Sequence, residues 1–156
     1  MNLIFRQGTW DDLESVYQLN NRAFAESWSL DGLKGALADG YELLICNDGD
    51  RLAGYLLSHD VLDEVHIMQV VVESTHRRHG IAEQLSRNLL ATKQGKRLLL
   101  EVRASNQAAQ LLYSKLGFIQ SGRRKAYYVP DHAGDVREDA ILMHHQPTTD
   151  STESIS

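Results

Sequence analysis

The chain has 156 residues, 42% hydrophobic and 24% charged, with 11 glycines, 2 prolines and a single cysteine, Cys46. That is one domain's worth of chain with apolar side chains enough for a core; it excludes a low-complexity or collagen-like chain, a wholly disordered one and a disulfide framework or cysteine-rich zinc site. With 16 Lys and Arg against 21 Asp and Glu the net charge is −5, which argues against a general nucleic-acid binder, whose footprint is basic, and suits plain solubility.

Residues 1–6 are too short and too soon charged for a secretory leader. No stretch nears the roughly 18 apolar residues that span a bilayer. A cytoplasmic protein without membrane contact is expected. Residues 3–5 predict a short strand. Thr9-Trp10-Asp11-Asp12 is a capping signal. Leu13, Val16, Tyr17, Asn20 and Phe24 follow at helical spacing and predict a helix over 10–24. Ser27-Trp28-Ser29 interrupts it, and Ser29 can cap a second helix ending near Ala38, with Gly40 as its stop. Residues 41–46 and 52–58 read as strands across the turn Asn47-Asp48-Gly49-Asp50. Residues 65–72 are nearly all apolar and predict a central strand buried on both faces.

A polar, basic stretch follows over 73–80. Ile81, Leu85 and Leu89 then share one helix face, and Gly95 stands just past its end. Residues 97–102 predict another buried strand. Asn106 can cap the next helix, which carries Leu112 and Leu116 and stops at Gly117. Phe118 resumes extended chain. Residues 126–129 and 140–143 predict a last hairpin across 130–135. From Pro147 the composition predicts a disordered tail, 147–156. The order predicts an α/β fold, a mixed central sheet of about six to seven strands with helices on both faces, in one domain over 1–146.

Residues 70–82 carry the most chemistry. A buried strand enters a basic turn, and the turn opens a helix at Gly80. Unpaired amides at a helix start carry partial positive charge and bind phosphate. Gly80 lets the backbone come close, and Arg77 and Arg78 add countercharge. The segment is either an anion site for a pyrophosphate or an exposed basic turn before an ordinary helix; spacing alone does not decide. It is neither a Walker loop nor a Gly-x-Gly-x-x-Gly turn.

Glu101 follows Leu98-Leu99-Leu100, on or at the end of a buried strand. Desolvation there raises a carboxylate's pKa, as a base requires. The alternative is an ion pair with Arg103 or another arginine. Tyr113 follows Leu111-Leu112 on a short helix, as a proton donor or as a core tyrosine. A strand sends Tyr127 and Tyr128 to opposite faces, one to pack and one to face a substrate. His76 and His79 have ligand-like spacing without a third ligand, so no metal is expected and both are expected to be solvated. His144 and His145 are expected at the surface, and Cys46 in the core.

Arg77-x-x-Gly80-x-Ala82, after a buried strand, resembles the Gln/Arg-x-x-Gly-x-Gly/Ala motif of the GCN5-related N-acetyltransferases. The element order from 3 to about 145 matches that superfamily. A narrower likeness lies in Leu100-Glu101-Val102-Arg103-Ala104-Ser105-Asn106, Leu112-Tyr113-Ser114-Lys115-Leu116-Gly117-Phe118, Tyr127-Tyr128 and Arg137-Glu138-Asp139-Ala140. These resemble the Rim-type ribosomal-protein-alanine N-acetyltransferases, and Leu62-Asp63-Glu64, Arg22-Ala23-Phe24 and Trp28-Ser29 agree. That family often has a proline where this chain has Ser27.

The resemblance implies the acyl-CoA N-acyltransferase fold. It implies direct transfer of acetyl from acetyl-CoA to the N-terminal alanine of the eighteenth small-subunit ribosomal protein. Acetyl-CoA would be held by Val70, Val71 and Val72, by the turn Arg77, Arg78, His79, Gly80, Ile81, Ala82 and Glu83, and by Asn106, which can also cap its helix. A bulge in the valine strand would free an N–H for the oxyanion. Glu101 would be the general base and Tyr113 the general acid, with Trp28, Tyr127 and Tyr128 at the peptide. The implied partner is an Ala-initiated peptide, with no direct nucleic-acid contact, no metal, and a monomeric enzyme. The alternatives are transfer to a small amine or a protein lysine, and a non-catalytic acetyl-CoA-binding module. The tyrosine pair and the Arg-Glu-Asp-Ala run favour the peptide. Glu101 and Tyr113 together favour an enzyme.

Overall fold

The computed structural model describes residues 1–24, 27–128 and 137–147. Seven strands, β1 (Leu3–Gln7), β2 (Glu42–Asp48), β3 (Arg51–Val61), β4 (Glu64–Val72), β5 (Arg97–Arg103), β6 (Ile119–Tyr128) and β7 (Glu138–His145), form one sheet in the order β1-β2-β3-β4-β5-β7-β6. All neighbours are antiparallel except β4 and β5, which are parallel because α3 (Ile81–Thr92) crosses between them. α1 (Leu13–Ala23), α2 (Leu30–Ala38) and α4 (Gln107–Lys115) complete the fold. The mixed sheet is the one expected. Among the described residues no helix is long and apolar enough to cross a membrane.

Local chemistry explains the helix starts. Thr9 and Asp12 close a reciprocal capping box, though residues 10–12 coil as a 3-10 turn before α1 begins. Ser29 Oγ accepts the Gly32 N–H at 2.9 Å, and Asn106 Oδ1 accepts that of Ala109 at 3.1 Å. Each such cap stabilises its helix by about 1 kcal/mol. Gly40, Gly95 and Gly117, with φ of +94°, +85° and +97°, end the segments that the sequence has them end.

The sheet's two faces carry two cores. Residues alternate along β3, so Leu56 packs with Ile81, Leu85 and Leu89 of α3 and with Tyr113 and Leu116, while Tyr55 and Leu57 pack with Leu13, Val16 and Leu19 of α1 and Leu33 of α2. Each fully buried leucine or valine contributes about 1.5–3 kcal/mol. Cys46 is buried, as expected.

Four expectations are corrected. β4 is central and feeds both cores, Val65 and Ile67 one and Val71 the other, but its burial is not continuous, since Met68 is exposed. β6 begins at Ile119, seven residues before the predicted strand. Its polar run Gln120-Ser121-Gly122-Arg123-Arg124-Lys125 is tolerated because β6 is an edge, where charged side chains also deter further pairing. His144 is buried and His145 half-buried against Phe118, since β7 lies between β5 and β6. His76 is buried rather than solvated, because the 3-10 turn Ser74–His76 folds it onto the end of β2. β6 and β7 pair antiparallel as predicted; their connection, with Val129, and the tail beyond Pro147 lie outside the described residues.

Candidate active site

β4 and β5 pair from Glu64↔Arg97 to Ile67↔Leu100, where the pairing ends although β4 runs on to Val72 and β5 to Arg103. The cause lies in β4. Ser58 pairs with Ile67 and Leu57 with Gln69, so Met68 is an extra residue, a bulge. A bulge bends its strand and aims it away from its neighbour. The bulge expected in this strand therefore falls at Met68, ahead of the three valines.

A cleft of about 820 Å³ fills the gap. One wall is Ile67, Met68, Gln69 and Val70, the other Leu100, Glu101, Val102 and Arg103, with Phe24, Trp28, Asn106, Tyr113, Tyr127 and Tyr128 around them. A second hollow of about 250 Å³, lined by Val72, His76, Arg77, Arg78, Gly80, Ile81, Ala82, Glu83 and Leu112, shares Ala82 and Leu112 with the first. The two adjoin at Ala82 and Leu112. Val71 is the exception among the predicted valines: its side chain packs in the core on the opposite face. His79 is exposed beside the hollow but is not among its lining residues.

The small hollow has the features of an anion cradle. Arg78 and Gly80 are both left-handed, with φ of +69° and +73°. Alternating left-handed residues turn successive N–H groups to one side. Gly80 is the N-cap of α3 and no side chain caps it, which leaves the first amides of α3 for a ligand or water. A Cβ at Gly80 would meet nothing within 4 Å, so its dihedral angle, not crowding, calls for glycine. His76 anchors the turn: Nε2 lies 2.9 Å from Asp48 Oδ2 and Nδ1 2.9 Å from Thr75 Oγ1. The His76 hydrogen bond, aided by the Asn2 N–H, holds the Asp48 carboxyl below the usual range. Glu83 is tied to Lys115 at 2.8 Å and Arg87 at 3.0 Å, which hold its carboxyl low and leave it a bracket between α3 and α4. Asn106 caps α4, as expected, and also lines the cleft.

Glu101 lies on the half-buried side of β5 with Leu99 and Arg103, opposite Leu98, Leu100 and Val102. Its side chain is 30% exposed, and Oε1 is 3.5 Å from Arg124 Nη2. The expectation of a shut-away carboxylate is corrected, because the strands have parted at its own position. Arg124 stands over the Tyr127 ring at 5.2 Å and Arg103 over the Tyr128 ring at 4.7 Å. Tyr127 and Tyr128 both line the cleft, their rings 5.1 Å apart and edge to face. They escape strand alternation because Ala126 is left-handed, at φ +53°, and pairing jumps from Arg124↔Ala140 to Tyr128↔Glu138. Burial, and next the charge of Glu101, push the Tyr128 hydroxyl up to about 12.

Tyr113 is a core tyrosine that also reaches the cleft. It is 4% exposed and edge-on to Phe118 at 5.2 Å, yet it lines the cleft. Burial raises its pKa, and a hydrogen bond with Ser86 opposes the rise. Among the described residues no three His, Cys, Asp or Glu side chains gather as a metal site.

Sequence reasoning missed Phe24, Met68 and Arg124 as cleft or near-cleft residues, and a buried hydrogen-bond network beside it. Asn20, with no exposure, donates from Nδ2 to Tyr55 Oη at 2.8 Å and to Gln69 Oε1 at 2.7 Å, and its Oδ1 accepts the Trp28 N–H at 2.9 Å. The available signal was a polar residue at an apolar position of the first helix.

Comparison with known proteins agrees with this geometry. The acetyltransferase (GNAT) family model matches residues 9–118. The [ribosomal protein bS18]-alanine N-acetyltransferase of Salmonella typhimurium is 37% identical over 135 residues, covering 85% of this chain and 89% of that protein. Its Escherichia coli K12 counterpart is 34% identical with the same coverage. The crystal structure of the ribosomal-protein-S18-alanine N-acetyltransferase from Escherichia coli superposes with a TM-score of 0.87 at 29% identity, over 96% of this chain and 97% of that one. Arabidopsis thaliana NAA60 in complex with acetyl-CoA shares the fold, with a TM-score of 0.80 at 21% identity over 92% and 98%. With the parted strands, the glycine-opened turn and the family match in agreement, the chain belongs to the acetyltransferase (GNAT) family.

Proposed function

We propose that the protein transfers acetyl from acetyl-CoA to the N-terminal alanine of the eighteenth small-subunit ribosomal protein. One observation carries the reading. A basic, glycine-opened turn and a cleft holding a carboxylate and a buried tyrosine lie side by side, with Ala82 and Leu112 lining both. The relatives that bear this activity in their names support it.

Acetyl-CoA carries a diphosphate and an extended arm, and the residues present fit both. Gly80 and the uncapped start of α3, with Arg77 and Arg78, would hold the diphosphate. The backbone of β4 from Val70 to Val72, released from pairing with β5, would hold the arm. Asn106 stands beside it. Acetyl-CoA supplies the activated acyl group; the chain's own residues manage the protons and the acceptor.

The acceptor amine must be neutral to attack. An α-amino group has a pKa near 7.7–8.0 and a lysine near 10.4, so at pH 7 a peptide terminus holds roughly several-hundredfold more free amine. A partly solvated carboxylate suffices for the terminus and is a poor base for lysine. Glu101 takes this proton, directly or through a water, and solvent access at the parted strands gives it a way out. Tyr113, kept protonated by burial, gives its proton to the departing sulfur. A thiolate whose thiol has a pKa near ~8.5 is a weaker base than a tyrosinate near ~10, so that step needs direct contact. Tyr127, Tyr128 and Trp28 receive the peptide.

Mass spectrometry of ribosomal N-terminal peptides from cells with and without this protein tests the reading. The alanine terminus is expected acetylated with it and free without it. An acetylation state that does not change overturns the substrate. Acetylated lysines with a free terminus would instead favour a lysine acetyltransferase.

A further inference from the structure

Asn20 is wholly buried in the last turns of α1, and both its amide donors and its carbonyl are used. The Tyr55 hydroxyl donates to the same Gln69 oxygen at 2.8 Å. Burial pushes the Tyr55 hydroxyl up to about 12, so it keeps its proton for that bond. One side chain thus ties together α1, β3, β4 and the connection ahead of α2. Polar groups shut away from water are stable only when their partners are all in place, so such a network has a single geometry.

Its ends reach the cleft. Gln69 directly follows the bulge at Met68, and both residues line the space. The Trp28 amide is held by Asn20, and the Trp28 ring stands edge-on to Tyr41 at 6.1 Å, with Tyr41 stacked on His59 at 3.9 Å. The Asn20 main-chain carbonyl, apart from its side chain, accepts the Phe24 N–H at 3.1 Å and closes α1. Phe24 and Trp28 line the cleft with Met68, and Trp28 is the one the Asn20 side chain holds. Neither Asn20, Tyr55 nor Gln69 lines the hollow at Gly80.

We propose that Asn20, through Tyr55 and Gln69, is a positioning residue for the acceptor: it sets the wall of Phe24, Trp28 and Met68 against Glu101 and so fixes where the first residue of the acceptor peptide lies. The proposal rests on the cleft being the acceptor site. It separates the two substrates, since the network touches the acceptor wall and leaves the cofactor cradle alone.

Tyr55→Phe removes one hydroxyl and keeps the buried ring; Asn20→Ala removes the whole hub. Trp10 and Trp28 are the two tryptophans, so in a Trp10→Phe background the emission reports Trp28 alone. Tyr55→Phe is expected to lower kcat/KM for an Ala-initiated peptide roughly 10-fold, mainly through KM, since small misplacements of a reacting group are costly. The Kd for acetyl-CoA by calorimetry stays within about twofold, and Trp28 emission moves to the red. Asn20→Ala gives the same pattern more strongly; if it does not fold, Tyr55→Phe carries the test. A lowered Tm with unchanged peptide KM and unchanged Trp28 emission means a merely structural network and overturns the proposal. A wild-type protein that acetylates no peptide overturns the acceptor reading instead, and unmoved Trp28 emission in the variants would then overturn the positioning role by itself.

Discussion

Ile67 and Leu100 are the last residues paired between β4 and β5. One position further on, Met68 bulges and Glu101 stands on the opposite wall of the cleft. The end of a parallel ladder thus places a carboxylate at a gap wide enough for a substrate, and it frees the backbone of Val70 and Val72 from that ladder.

Glu101→Gln keeps the shape of the side chain and removes its basicity. Loss of kcat/KM by roughly 10²–10⁴-fold is expected, with acetyl-CoA affinity little changed. The measurement is initial-rate kinetics with an Ala-initiated peptide beside calorimetric titration. A loss under about threefold would assign the proton to another group or to water.

Tyr113→Phe tests the acid. Burial keeps the hydroxyl protonated above its ordinary value of ~10, so no alkaline loss of kcat from this residue is expected below about pH 10. The variant should release free thiol roughly 10²-fold more slowly while still binding acetyl-CoA. Its stability should drop by about 1 kcal/mol, for the hydrogen bond with Ser86. Equal thiol release by the two proteins across pH would leave Tyr113 as core alone.

Gly80→Ala adds a Cβ that meets no neighbour but must sit at φ +73°. A left-handed alanine costs about 1–2 kcal/mol. The turn is expected to relax away from its anion-binding shape, and the Kd for acetyl-CoA to rise roughly 10-fold or more. Gly80→Val should be worse, since β-branching stiffens the site further. Unchanged calorimetric affinity in both would remove the turn from the cofactor site.

Asp12 predicts an acid-side loss of stability. Arg6 Nη2 lies 2.6 Å from Oδ1 and Nη1 2.9 Å from Oδ2, while Oδ2 also accepts the Thr9 N–H at 2.8 Å. The Arg6 hydrogen bonds lower the carboxyl's pKa. A depressed carboxylate adds stability that is fully present above the unfolded value near ~3.9 and is lost as pH falls through the folded value. Asp12→Asn should cost about 1 kcal/mol at pH 7, lowering Tm by roughly 2–4 °C. The gap from wild type should narrow in thermal melts as the pH falls from the unfolded value near ~3.9 through the lower folded one. A gap that persists there would assign the effect to packing.

Much of this molecule follows from short-range chemistry. Thr9, Ser29 and Asn106 cap helices because their side chains reach amides only two or three residues away. Gly80 and Gly117 supply left-handed dihedrals that most residues resist. Alternation along β3 assigns Leu56 and Leu57 to opposite cores. The motif around Gly80, and Glu101 and Tyr113 as candidates, are legible for the same reason. What needed the tertiary structure depends on residues distant in the chain. The bulge at Met68 is visible only in the register against Ser58 and Leu57, and the cleft only where β5 stops following β4. Extended chain from Phe118 is legible, but the start of β6 at Ile119 is not, because an edge strand need bury neither face. His76 finds Asp48 across 28 residues, Asn20 finds Gln69 across 49, and Arg124 meets Glu101 only because β7 lies between their strands. Local sequence sets which residues can turn, cap or alternate; which of them share a space is decided by how the strands pair and where that pairing fails.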